Sequence, residues 1–393
     1  MSALSPRRFL ADYALLFPLL ILCGYIVAES YQVDFRAFYV AGKSILLGLD
    51  PYLNPVGQHP ELYVALNAEA EPFSAFRYPP LAAWCFVPLA LMPYTVARFV
   101  FAVITFAMVL AVGWWVFRGR PTTDATRLAL TLAVVSLPVQ ATFQRGQVDL
   151  ILVLLALAAF SRWQRSPRDL WAPLLLALGT VFKVFPGVLA LYFLCRKQWR
   201  FLGTYLVSTL ALFWLPLPWL GLEAYRNFAR RSLPELFGPI QAGAPIHLLG
   251  QKTVFFGSAN YVDAFEGRGM VASRDFVGGG MNPLLFDHTL LAIALGSLAL
   301  VLVYRLLRGQ TEAYRYLAML NLVNLVNPLS WLMGVVWYLP WFLSCFPQAS
   351  SRQRLLLLAP LFFPPALGLN GYLAIAIPLL PAVRSLGNGQ VGE

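Results

Sequence analysis

Residues 99–117 read FVFAVITFAMVLAVGWWVF, an apolar run without a single charged side chain. A helix rises about 1.5 Å per residue and the hydrocarbon core of a bilayer is about 30 Å thick, so a run of this length reads as a membrane span. Comparable runs lie on both sides, at Phe9–Ala28, Phe201–Leu220 and Phe286–Leu307. Shorter ones fall at Arg127–Ala141, Val148–Ser161, Trp171–Phe182, Phe185–Cys195, Tyr314–Val326, Trp331–Phe346, Leu355–Leu369 and Tyr372–Val383. The apolar excess is therefore global. Of the 393 residues 59% are hydrophobic and 12% charged, with a mean hydropathy of +0.67. Soluble domains carry about twice that charge. The expected fold is an all-α polytopic membrane protein with about twelve transmembrane helices. It reads as one transmembrane domain over residues 1–393, with a first outer loop at 29–78 carrying amphipathic, interfacial helices and a second outer loop at 221–285. Pro79-Pro80 opens a short apolar segment that closes at Met92-Pro93 and suits a half-helix better than a full span.

The net charge of +11 follows the topology. Basic residues gather in the short gaps between runs: Arg7-Arg8, Arg118 to Arg127, Arg162 to Arg168, Arg196 to Arg200, Arg305 to Arg315, Arg352 to Arg354, and Arg384. The stretches on that side hold 17 basic and 5 acidic residues, against 12 basic and 13 acidic in the rest of the chain. The positive-inside rule makes these gaps cytoplasmic and places both termini there. No basic excess remains for a nucleic-acid patch. Cys23, Cys85, Cys195 and Cys345 lie in or beside apolar runs without a CxxC, and read as small core residues. Phe9–Ala28 lacks a clean small-residue cleavage site and reads as an uncleaved first span.

Soluble-enzyme motifs are absent. Gly42-Lys43-Ser44 ends like a phosphate-binding loop, but the required first glycine is Ala37 and no βαβ context surrounds it. His59, His247 and His288 are dispersed, with no HExxH, no GxSxG and no dinucleotide fingerprint. Chemistry is left to polar groups at the outer face. Asp34 opens an amphipathic run to Lys43 that suits a helix lying on the membrane, with Arg36 and Lys43 on one face. Asp34 serves there either as a helix cap or as a general base; Arg36 and Lys43 serve lipid headgroups or a site. Lys183 interrupts two short apolar segments before Pro186. An intramembrane lysine is costly and marks function unless it snorkels to the interface. Breaks of this kind persist only where protein or a cavity encloses the backbone.

The order of several segments carries a resemblance. Asp34-x4-Tyr39, Gly48-Leu49-Asp50-Pro51-Tyr52 and Arg77-Tyr78-Pro79-Pro80 are followed by Gly146-Gln147-Val148-Asp149-Leu150. Then come Phe182-Lys183-Val184-Phe185-Pro186, the basic cluster Arg196 to Arg200, and Asn327-Pro328-Leu329-Ser330-Trp331. From about residue 30 to 345 this resembles glycosyltransferase family 87, polyprenyl-phosphate-mannose-dependent α-mannosyltransferases of the C-type membrane fold. Two positions depart from the family pattern: Asn327 stands where a serine is usual, and Leu332-Met333-Gly334 follows Trp331 without the usual histidine.

The resemblance implies a hexosyltransferase of the bacterial plasma membrane. It would move a sugar, mannose by preference, from a polyprenyl-phosphate-linked donor to a lipid or glycan acceptor at the extracytoplasmic face, with inversion. Asp34 matches the essential acidic residue of the first outer loop, which by this resemblance would deprotonate the acceptor hydroxyl. Lys183, Arg145 and Arg77 are the candidates for the donor phosphate, whose oxygens gain charge as the bond breaks. Tyr39, Tyr78, Gln147, Asn327, Ser330 and Trp331 are the candidates for sugar and acceptor; Tyr52 is a further aromatic, and Asp50 reads as a turn residue. The lipid carrier supplies the activated sugar, so neither cofactor nor metal is expected, and the partners are membrane lipids, donor and acceptor. The competing classes are a transporter or flippase of lipid-linked saccharides and an inactive relative. Transporters often repeat broken helices in paired halves, and this sequence shows no such symmetry.

Overall fold

The computed structural model describes residues 5–29, 32–53, 59, 62, 76–233, 289–326, 332–364 and 370–387. The described residues fold into helices, with no strand among them. Helix α1 is Pro6–Asp12, α2 Leu19–Glu29, α3 Val33–Leu46, α4 Pro80–Cys85, α5 Val87–Ala90, α6 Tyr94–Phe117, α7 Asp124–Val135 and α8 Leu137–Arg145. Then follow α9 Asp149–Arg165, α10 Trp171–Phe182, α11 Ala190–Cys195, α12 Trp199–Trp214 and α13 Leu217–Asn227. The later helices that matter here are Thr289–Leu306, Glu312–Leu320 and, after the 3₁₀ helix Leu332–Tyr338, Leu339–Cys345.

Among the described residues α6 alone is long and apolar enough to cross a membrane unbroken; counting each bent pair as one span gives up to four. The separate spans read from the sequence are thus more interrupted than expected, and the breaks have local causes. Pro138 starts α8 after α7, a bend of 43°. Pro216 and Leu217-Pro218 turn α13 by 93° from α12. Pro186 converts the chain after α10 into the 3₁₀ segment Phe185–Leu189. A proline removes one backbone donor and clashes with the turn before it, so an apolar run containing one bends or stops.

The gaps expected to share a side do touch one another. Thr122 donates to Asp12 at 2.7 Å, Arg118 to Ser161 at 3.0 Å, and Arg196 pairs with Glu312 at 2.8 Å. Arg315 also donates to the carbonyls of Leu307, Arg308 and Gln310. The segments read as outer form a second set of contacts at the other end of α9 and α10.

Helix α3 departs from expectation. It does not lie on the surface: Phe35 and Phe38 are fully buried and Arg36 is 1% exposed. Gly42 explains the enclosure, because a Cβ there would stand 2.8 Å from the Phe86 backbone where α3 meets α5. Arg36 and Lys43 therefore do not face headgroups together. Lys43 Nζ instead donates to the Ala90 carbonyl at 3.4 Å.

Candidate functional site

Four helix ends meet in this second set of contacts. Asp34 lies in the first turn of α3 and Asp149 in the first turn of α9; Arg145 lies in the last turn of α8 and Lys183 caps the end of α10. Each charge thus sits at the helix end whose dipole favours it. The side chains then pair across the sequence. Arg145 directs Nε to Asp34 Oδ2 at 2.7 Å and an Nη to Oδ1 at 3.2 Å. This fork geometry fixes the carboxylate orientation as well as its distance. Lys183 Nζ donates to Asp149 Oδ2 at 2.8 Å, and Trp337 Nε1 donates to Asp149 Oδ1 at 3.1 Å.

Tyr78 links the two pairs. Gln147 Nε2 donates to its hydroxyl at 3.3 Å. The hydroxyl lies within electrostatic reach of Lys183, Asp34, Asp149 and Arg145, and Lys183 lies within reach of Asp34 too. Burial pushes the Tyr78 hydroxyl above its ordinary pKa, against the opposing pull of Lys183. Tyr78 therefore remains a neutral hydrogen-bonding group near neutral pH, and the candidate bases are the carboxylates.

The scaffold around these groups is rigid for stated reasons. Gly146 ends α8 at φ +69°, a left-handed conformation that glycine adopts without penalty. A Cβ on Gly146 would overlap the Cβ of Phe35, so α3 crosses the turn at the closest approach a backbone allows. Gln32, fully buried at φ 47°, ψ 51°, starts α3 and donates from Nε2 to the Phe143 carbonyl at 2.8 Å. A left-handed glutamine costs on the order of 1 kcal/mol or more, a strain that such sites commonly hold. Phe38, one turn after Asp34, packs on Tyr78 at 4.4 Å and Phe182 at 6.2 Å between ring centroids.

The expected site residues therefore divide. Asp34, Arg145, Gln147, Tyr78 and Lys183 converge. Arg77 is half-buried beside Tyr78 in the chain. Tyr39 is placed elsewhere: its hydroxyl donates to the Met92 carbonyl at 2.7 Å, tying α3 to the turn before α6. Tyr52 donates to the Tyr78 carbonyl at 2.9 Å and so ties the chain at Tyr78 to the turn at Asp50–Tyr52. Asp50 makes the expected turn, accepting from Tyr52 N at 2.8 Å, and also receives Asn227 of α13 at 2.8 Å. Asn327, Ser330 and Trp331 lie outside the described residues. Asn324, nearby, donates to the Gly334 carbonyl at 2.8 Å.

Sequence reasoning passed over Asp149 and Trp337. The signal for Asp149 was present: an acid opening an apolar run, 34 residues before the intramembrane lysine that it pairs with. Trp337 had no signal among so many tryptophans and tyrosines. It reaches the site because Leu332–Tyr338 winds as a buried 3₁₀ helix against α8 and α9.

The model of glycosyltransferase family 87 matches residues 76–333. Among similar proteins is the polyprenol-phosphate-mannose-dependent alpha-(1-2)-phosphatidylinositol pentamannoside mannosyltransferase of Mycolicibacterium smegmatis. It is 29% identical over 292 residues, 72% of this chain and 64% of that protein. A polyprenol-phosphate-mannose-dependent alpha-(1-2)-phosphatidylinositol mannoside mannosyltransferase of Mycobacterium tuberculosis is 29% identical over 195 residues, 45% of this chain and 43% of that protein. The protein of the same description from Mycolicibacterium smegmatis is 26% identical over 338 residues, 79% of this chain and 68% of that protein. The chain spans less than two thirds of the length of the first two. Arg77, Tyr78, Arg145, Gln147, Asp149 and Lys183 lie within the matched segment, and Asp34 lies ahead of it. With more than half its length matched, the chain belongs to glycosyltransferase family 87.

Proposed function

We propose that this chain is a membrane hexosyltransferase that moves mannose from a polyprenyl-phosphate donor to a lipid-borne glycan acceptor. The observation that carries the reading is the meeting of Asp34, Arg145, Lys183 and Tyr78 at one end of the helical bundle. The choice of mannose and of a glycolipid acceptor is supported by the descriptions of the relatives, which name polyprenol-phosphate-mannose and phosphatidylinositol mannosides. The protein would lie in the bacterial plasma membrane with about twelve crossings, counting broken ones, both termini cytoplasmic and the site on the extracytoplasmic side. The separate contact sets of the basic gaps and of the site residues support that sidedness.

In this reading Asp34 takes the proton of the acceptor hydroxyl. The hydroxyl oxygen attacks C1 of the sugar as the bond from C1 to the phosphate oxygen breaks. The electron pair leaves with the polyprenyl phosphate, and a single displacement inverts C1. Lys183 and Arg145 neutralise the charge that grows on the phosphate. In the ligand-free site Arg145 is already engaged by Asp34. The donor phosphate competes for that guanidinium, so donor binding frees the carboxylate to act as base. Tyr78 and Gln147 offer neutral hydrogen-bonding groups for sugar hydroxyls beside the charges. No inorganic cofactor is invoked.

The test is transfer of radiolabelled mannose from polyprenyl-phosphate-mannose to phosphatidylinositol mannosides or native glycolipids by the purified full chain in nanodiscs. Label in a glycolipid product is the expected result. No product from mannose or from other polyprenyl-phosphate sugars would turn the reading toward a flippase or an inactive relative.

A further inference from the structure

We infer that Asp149 is a positioning residue for Lys183, held in turn by Trp337, and not a competing counter-ion as Asp34 is for Arg145. The inference rests on the reading of Lys183 as a ligand of the donor phosphate. The two ion pairs look alike in charge but differ in how the carboxylate is held. Asp149 is 4% exposed and accepts at both oxygens, from Lys183 on one and from the Trp337 indole on the other. Its hold on Trp337 does not depend on the lysine, so it stays fixed when the ammonium turns to a phosphate. Lys183 itself stands on extended backbone, at φ −150° and ψ 113°, where α10 stops. Nothing in a helix constrains the direction of its long side chain there. The hydrogen bond to Asp149 sets that direction, toward Tyr78 and the Asp34 pair.

Asp34 has the opposite character. Both of its oxygens are taken by the one guanidinium, the same group that the phosphate would engage. Its charge opposes an anionic ligand, and its removal releases Arg145.

Substitution by an amide separates the two roles by sign. A carboxamide keeps one acceptor and replaces the other with a donor. At position 149 that donor faces either the ammonium or the indole N–H, and in both orientations the charge that holds the ammonium is gone, so Asp149→Asn weakens the hold on Lys183. If both acids merely opposed the anion, both amides would tighten binding. The experiment measures polyprenyl phosphate affinity of the purified full chain in nanodiscs. We expect Asp34→Asn to bind about threefold or more tighter, and Asp149→Asn to bind about tenfold weaker. Trp337→Phe keeps a buried ring but removes the indole donor. It should weaken binding about threefold, and it carries the test should Asp149→Asn fail to fold. In a Lys183→Met background Asp149→Asn should cause no further loss, because the group it positions is gone. Tighter binding by Asp149→Asn, or wild-type affinity in Trp337→Phe, would overturn the inference while leaving the donor reading intact. Absence of polyprenyl phosphate binding by the wild type would overturn the donor reading itself.

Discussion

Asp34→Asn is expected to abolish sugar transfer, lowering kcat by about 10³-fold or more, while the protein folds as before. The expectation follows from what the substitution keeps and removes. The amide has the size of the acid, and α3 is fixed independently of it, by Gln32 on the Phe143 carbonyl and by Phe35 against Gly146. The amide oxygen can still accept from Arg145. What is lost is the capacity to take a proton from the acceptor. Tyr78 cannot take over, since its burial keeps the hydroxyl protonated. The check is single-turnover transfer at saturating donor, with the thermal midpoint measured alongside. Activity within about tenfold of the wild type would remove Asp34 from the base role.

The second large effect is structural. Gly146→Val should cost about 3 kcal/mol or more of stability, the sum of a left-handed side-chain-bearing residue and of overpacking. Position 146 has φ +69°, and any Cβ there meets Phe35. Relief requires α3 to move away from α8, which draws Asp34 off Arg145. Loss of the thermal transition in detergent, or a fall of many degrees together with loss of transfer, is the expected result. An unchanged midpoint would mean that the contact between α3 and this turn is soft.

Much of this is legible in the sequence. Among the described residues the apolar runs fall largely where helices form; Trp171–Phe182 has the expected boundaries, and Phe99–Phe117 lies within α6. The prolines that divide other runs, Pro138, Pro186 and Pro216, stand in the sequence as breakers, yet composition alone does not say which run bends and which stops. The Gly-Gln turn, Lys183 and Asp34 carried local signals: a glycine ending a helix, a cation in an apolar stretch, an acid just past a span. Their pairing carried none. Asp34 and Arg145 are 111 residues apart, and no periodicity encodes such a contact. Helix α3 misled for a related reason. Its polar residues looked like one face for the headgroups, but the structure sends Asp34 to α8 and Lys43 to α5, with Arg36 enclosed. An amphipathic pattern shows that a helix has two environments and leaves open whether the polar one is water, lipid or protein.

In the proposed mechanism Arg145 passes from Asp34 to the donor phosphate, while Lys183, directed by Asp149, reaches the same phosphate. A structure of the full chain in nanodiscs with polyprenyl phosphate bound tests it most directly. The expected structure has phosphate oxygens about 3 Å from Arg145 and Lys183, the double contact of Arg145 with Asp34 broken, and Asp149 still on Trp337. A phosphate bound elsewhere, with both ion pairs as they stand in the free protein, would contradict it.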